Sequence, residues 1–134
     1  MKTFQLTVVS PHRLVVDEAT DSVIVPGVEG YLGIMAGHEP FVTQLRVGVL
    51  TYRDAGGQMQ SVAIAGGFLE ASGDHVIVTA DAAERADEID RERALAALQR
   101  ARERLERPTP DVNIARAQAA MERALNRLKL TGGV

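Results

Sequence analysis

A chain of 134 residues with 46% hydrophobic side chains and a net charge of −3 is long enough to bury a core as one domain, or as one small domain with an appendage. The absence of cysteine excludes a disulfide framework, a thiolate metal site and a thiol nucleophile, and His12, His38 and His75 are too scattered for a zinc site. With no apolar run long enough to span a bilayer and no charged-then-apolar leader, the chain is expected to be soluble and cytoplasmic.

Phe4, Leu6 and Val8 alternate with polar neighbours before Pro11, a half-buried strand followed by a turn. Leu14 to Val16 and Ser22 to Val25 read as two more short strands, the second closed by Pro26-Gly27. Gly30 to Pro40 is too glycine-rich for a helix and too irregular for one strand, so it is expected to be a loop. Phe41 to Leu45, Val47 to Arg53, Met59 to Ile64, Phe68 to Ala71 and His75 to Thr79 follow as strands. Asp54-Ala55-Gly56-Gly57 and Ser72-Gly73-Asp74 supply hairpin turns, and Ala65-Gly66-Gly67 a tight reversal. About eight short strands without βαβ alternation predict a β-sandwich or small barrel.

The composition changes after this. Residues 1–84 carry four basic and ten acidic side chains, whereas residues 85–134 carry eleven basic and eight acidic, and ten of the twelve glycines precede position 74. Asp87 and Asp90 can each start a helix, by accepting from free backbone N–H groups and complementing the helix dipole. Ala94, Leu98, Ala101 and Leu105 then recur at steps of four, three and four. Ile114, Ala117, Met121, Ala124 and Leu128 repeat in the same way, widened by Leu125. Pro108 and Pro110 separate the two stripes, and Thr109 or Asp111 is placed to cap the second helix. The expected fold is thus α+β: an N-terminal antiparallel β-sandwich over 1–84 and a C-terminal antiparallel two-helix hairpin over 85–134.

Pivoting the hairpin about Pro108 and Thr109 sets Arg93 level with Ala124, with Arg100, Arg123 and Arg127 nearby. Such a gathering of guanidinium groups is either a solvated, salt-bridged face or a site bridged by an anion such as a phosphate chain, and the residue pattern alone favours the former. Other chemistries find little support. The glycine loop lacks the Gly-Lys-Ser/Thr ending of a P-loop. Asp17 and Glu18 point to opposite faces of a strand, so no acid–base pair or nucleophile is apparent and an enzyme is not expected. Interleaved glutamates, two tyrosines and no tryptophan argue against nucleic acid.

Three segments in register, Gly30 to Pro40, Ala65-Gly66-Gly67-Phe68-Leu69-Glu70 and Ala82-Ala83-Glu84-Arg85-Ala86 through Ile89-Asp90, resemble the epsilon subunit of bacterial F-type ATP synthases over essentially the whole chain. The resemblance implies a non-catalytic subunit of the rotating stalk that couples proton-driven rotation to ATP synthesis. It also implies restraint of ATP hydrolysis through the helical hairpin. The implied partners are the gamma subunit, the ring of membrane c subunits, and the alpha and beta subunits of the catalytic head when the hairpin extends. The implied location is peripheral, on the cytoplasmic face of the cell membrane. The glycine loop becomes a docking surface, with Glu29, Tyr31 and His38 as exposed contacts. Ile89-Asp90-Arg91-Glu92-Arg93-Ala94 resembles the Ile/Leu-Asp-x-x-Arg-Ala pattern of ATP-binding members. Carried over residue by residue, it implies a regulatory site for ATP, with or without magnesium, at Glu84, Ile89, Asp90, Arg93, Ala94, Arg100, Arg123 and Arg127. Arginines would take the phosphates there, Ile89 and Ala94 the base, and Glu84 and Asp90 would accept from the adenine amino group or ribose, or hold the arginines in place. The alternative is a purely structural coupling subunit without a nucleotide site.

Overall fold

The computed structural model describes residues 2–132 and divides between Arg85 and Ala86 into two compact units. The first holds eight strands: β1 (Phe4–Ser10), β2 (Arg13–Thr20), β3 (Ser22–Gly27), β4 (Gly30–Met35), β5 (Phe41–Arg53), β6 (Met59–Ser72), β7 (His75–Ala80) and β8 (Ala83–Arg85). Hydrogen bonding runs β2-β1-β7-β6-β5-β3-β4, with β8 against β6. The long strands β5 and β6 belong to both layers. Phe41 to Leu45 pairs with Gly67 to Ala71, whose other edge takes β7; Val47 to Arg53 pairs with Met59 to Ala65, whose other edge takes β8. Between them the pair Arg46 and Gly66 is missing from a ladder whose register is otherwise unchanged, and there the ribbon passes from one layer to the other. The β1–β7 pair is parallel; every other pair is antiparallel.

Alternation fills the space between the layers. Phe4, Leu6, Val8, Leu69, Val76 and Val78 meet Val23, Val25, Leu50, Tyr52, Val62 and Ile64, all nearly or wholly buried. Val8 pairs with Val16 but Val9 with Leu14, so Val15 is the extra residue of a β-bulge, and both valines are buried.

Two sequence expectations need correction. Gly30 to Met35 is a strand: β4 pairs residue for residue with β3 from Gly27↔Gly30 to Ser22↔Met35. Only Ala36 to Pro40 remains irregular. The four segments read as separate strands around Arg46 and Gly66 are two continuous ones, because glycine with positive φ at Gly66 and Gly67 lets the ladder bend without ending.

Tyr52 lies at the rim of the core, 1% exposed. Its hydroxyl donates to Glu18 Oε2 at 2.7 Å, tying β5 to β2. Burial first, then this bond, pushes the phenol above its ordinary value of 10.0. A neutral form favoured by folding stabilises fully below the unfolded value, and the contribution is lost as pH rises toward the folded one. Tyr52→Phe should therefore lower stability by about 1–2 kcal/mol at neutral pH. Urea midpoints of the two proteins should keep a constant gap up to about pH 9 and converge above pH 10; a gap unchanged at pH 11 would sink this account.

The second unit is a 3-10 turn (Ala86–Glu88) followed by α1 (Arg91–Glu106) and α2 (Ile114–Lys129). Asp90 caps α1, its carboxylate accepting from the Arg93 amide at 3.1 Å. The cap of α2 is Asn113, accepting from the Arg116 amide at 3.0 Å, rather than Thr109 or Asp111. Those two bond each other within the connection, and hydrogen bonding, chiefly from Thr109, holds the Asp111 carboxyl below its usual value of 3.8. Ala94, Leu98, Ala124 and Leu128 form the shared core, with Ala97, Met121 and Leu125 packed against it. Ala101 and Ala117 are buried too, while Ile114 is 42% exposed.

Candidate functional site

The helix limits fix the level of one helix against the other. Glu106 ends α1 and Ile114 begins α2, so the pivot is Pro110. Arg93 is then level with Arg127 rather than with Ala124, because the connection is three residues longer on the α2 side than a turn centred on Pro108 and Thr109. A hydrogen bond agrees with this: Arg91 donates to the Thr131 carbonyl at 3.3 Å and to its hydroxyl at 3.1 Å, closing the open end of the hairpin. No sequence signal had marked Arg91 out from its neighbours.

The seam sets the faces. One position before the seam residues Ala94, Leu98, Ala101 and Leu105 come Arg93, Ala97, Arg100 and Arg104. One position before Ala117, Met121, Ala124 and Leu128 come Arg116, Ala120, Arg123 and Arg127. A step of one residue is a little over a quarter turn, and in two antiparallel right-handed helices that step, taken backwards on each, points to the same side of the pair. Both helices thus present the order Arg, Ala, Arg, Arg on one face. Their four glutamates, Glu92, Glu103, Glu106 and Glu122, fall away from it. Among the described residues the guanidinium groups of Arg93, Arg100, Arg104, Arg116 and Arg123 enter no ion pair. These five are exposed, and Arg127 is half-buried.

This locates the residues singled out in the sequence. Arg93, Arg100, Arg123 and Arg127 share the face from which the helix glutamates fall away, with Arg93 and Arg127 at its open end, beside the capping Asp90. Ala94 is 1% exposed and sits in the helix–helix core, so of the two apolar candidates Ile89, half-buried ahead of α1, is the one open to a base. Glu84 lies in the other unit, on β8 opposite Ala63.

The predicted docking segment is also mixed. Glu29 is exposed, and Tyr31 is 50% exposed, with Arg46 stacked 5.3 Å from its ring centre and its hydroxyl accepting from the Val49 amide at 3.0 Å. His38 is not an exposed contact. Its Nδ1 lies 3.1 Å from the Met35 carbonyl and its ring stands edge-on to Phe4 at 5.4 Å, because the irregular stretch after β4 folds it back over β1. Among the described residues no helix is long and apolar enough to cross a membrane, and no three His, Asp or Glu side chains are grouped to hold a metal.

Comparison with known proteins places these features. The ATP synthase delta/epsilon chain beta-sandwich domain matches residues 3–86, and the long alpha-helix domain of the same chain matches residues 87–132. An ATP synthase epsilon chain of Moorella thermoacetica is 45% identical over 134 residues, covering 100% of both chains. That of Bacillus licheniformis is 44% identical over 128 residues, covering 96% of this chain and 97% of the other. Among solved structures, a chain of the Euglena gracilis mitochondrial ATP synthase OSCP/F1/c-ring assembly superposes with a TM-score of 0.76 at 30% identity, over 90% of this chain and 76% of that one. The two domains in order and the full-length relatives lead to one conclusion: the chain belongs to the ATP synthase delta/epsilon family, as an epsilon-type, non-catalytic subunit of the central stalk.

Proposed function

We propose that this subunit couples proton-driven rotation to ATP synthesis and that its hairpin is an ATP-sensitive restraint on ATP hydrolysis. The observation that carries the reading is the face clear of helix glutamates, on which Arg93, Arg100, Arg123 and Arg127 stand together beside the Asp90 cap. Charges of one sign held on one side of a helix pair repel, and a phosphate chain across them replaces repulsion with charge-assisted hydrogen bonds. The seam beneath suits a switch: Ala94, Ala101, Ala117 and Ala124 bury little apolar area, and burial returns only about 25 cal/mol per Å². ATP bound across both helices favours the paired hairpin. Without it the hairpin opens, extends toward the alpha and beta subunits of the catalytic head, and blocks hydrolysis. The sandwich docks the gamma subunit and the ring of c subunits, with Glu29 and Tyr31 in the contact, on the cytoplasmic face of the membrane.

Calorimetric titration of the full chain with ATP, with and without magnesium, tests this. Arg93→Gln with Asp90→Asn keeps a capping side chain at position 90 while removing two charges. Charge-assisted contacts are worth about 1.5–3 kcal/mol each, so affinity should fall on the order of a hundredfold or more. If the wild type gives no heat at millimolar ATP, or the variant gives the same heat, the arginines are a solvated face and the subunit is purely a structural coupler.

A further inference from the structure

The arginine face has two ends, and the nucleotide reading uses one of them. Arg93 and Arg127 stand at the open end of the hairpin, Arg100 and Arg123 near the middle. Arg104 and Arg116, each six residues from Pro110, stand level at the turn end and have no role in that reading. The same antiparallel repeat that pairs Arg93 with Arg127 pairs them. Here the face deepens into a groove of about 720 Å³, floored by Ala117 and Ala120 and walled by Arg104 from α1 and by Arg116 and Arg123 from α2.

Charge distinguishes this groove from its neighbour. A larger hollow on the α1 side, about 830 Å³, is lined by Arg100, Arg104 and Arg107 but also by Glu103 and Glu106, so its charges nearly cancel. The groove between the helices has three guanidinium groups against one carboxylate, Asp111, and that carboxylate is already engaged by Thr109. None of the three guanidinium groups is in an ion pair among the described residues. The groove opens at the first turn of α2, whose unbonded N–H groups add positive potential. The small alanine side chains of the floor leave room for an anion between the guanidinium groups.

We propose that Arg104 and Arg116 form a second phosphate-binding pair, which with Arg123 holds a polyphosphate anion at the turn end of the hairpin. The anion is either the distal part of a nucleotide whose base lies toward Asp90 or a free oligophosphate. The inference rests on the nucleotide reading only for the first of these sources.

Titrating the full-length protein at low salt with tripolyphosphate and, separately, with ATP decides it. Wild type should bind tripolyphosphate, and Arg104→Gln with Arg116→Gln should weaken binding at least tenfold. Arg102→Gln with Lys129→Gln, which removes the same charge from the other side of the helices, should change it less than threefold. All are exposed positions, and circular dichroism verifies that each variant keeps its helices. Binding of tripolyphosphate but not ATP supports the pair and rejects the nucleotide reading. Binding of ATP but not tripolyphosphate, with Arg104→Gln/Arg116→Gln indistinguishable from wild type, does the reverse. Equal losses in the two double variants would show general surface charge and overturn the proposal.

Discussion

Gly67→Ala should be among the most damaging single changes in this chain, costing about 3–5 kcal/mol. Gly67 has φ +132°, and a Cβ there would stand 2.2 Å from the Thr79 carbonyl oxygen and 2.8 Å from the Ala80 Cα. Both are backbone atoms of β7, so neither can rotate aside. Relief requires β6 and β7 to separate at Gly67↔Ala80, where the ribbon changes layers. Since a domain's whole stability is about 5–15 kcal/mol, the variant should be largely unfolded at modest urea. Gly33→Ala is the control: that glycine has ordinary φ and no atom within 4 Å of a new Cβ, so its midpoint should stay within about 0.5 kcal/mol of wild type. Gly67→Ala within 1 kcal/mol of Gly33→Ala would show the approach to Thr79 to be soft.

Leu128→Ala should dissolve the hairpin and leave the sandwich standing. Leu98 and Leu128 are the two large side chains among the fully buried members of the helix–helix core, Ala94, Leu98, Ala124 and Leu128. Leu128 is fully buried. Truncating a buried leucine costs about 3–5 kcal/mol, and isolated helices of sixteen residues are marginal without a partner. The sheet core contains no residue of α1 or α2, so the helical far-ultraviolet signal should fall while the cooperative sheet transition remains. If ATP or tripolyphosphate binds at the proposed anion sites, that binding should vanish too, since the arginine face exists only while the helices are paired. A variant that kept full helicity would mean that partners other than Leu98 and Ala124 stabilise α2.

The hairpin was the most legible part of the sequence, because a seam repeated at four, three and four reads the same whatever surrounds it. Ala94, Leu98, Ala101, Ala117, Ala124 and Leu128 are all buried, and Asp90 is the cap of α1. Asn113 was missed as the second cap because Thr109 and Asp111 have the same chemistry; which of them caps depends on where Pro110 lets α2 begin. That choice shifted the level of every arginine on α2. Asn126, buried at 4% exposure, gave no sign of it, lying outside the apolar stripe. In the sandwich β4 was hidden because its partner, not its own composition, makes it a strand: Gly33 has open space around it, and Tyr31, Leu32 and Met35 are exposed in succession with only Ile34 buried. The bend shared by β5 and β6 read as two breaks, since an arginine and a glycine pair interrupt the alternation while the backbone ladder continues on either side.

The parallel pairing of β1 with β7 also governs the order in which a growing chain can assemble. Gln5 is matched with His75, seventy residues later in synthesis, whereas β1 meets β2 as soon as residue 20 is available. At about 5–20 residues per second, the nascent β1–β2 hairpin waits several seconds with the other edge of β1 unpaired. Phe4, Leu6 and Val8, all but wholly buried in the end, are left uncovered on its face. An unfinished sheet edge with apolar side chains is the ordinary template for wrong strand pairing between chains. The interval ends only when β7 emerges and is inserted between β1 and β6. Ribosome-bound chains from which residue 75 has not yet emerged should therefore be the aggregation-prone intermediates of this protein, and chains from which residue 85 has emerged should not.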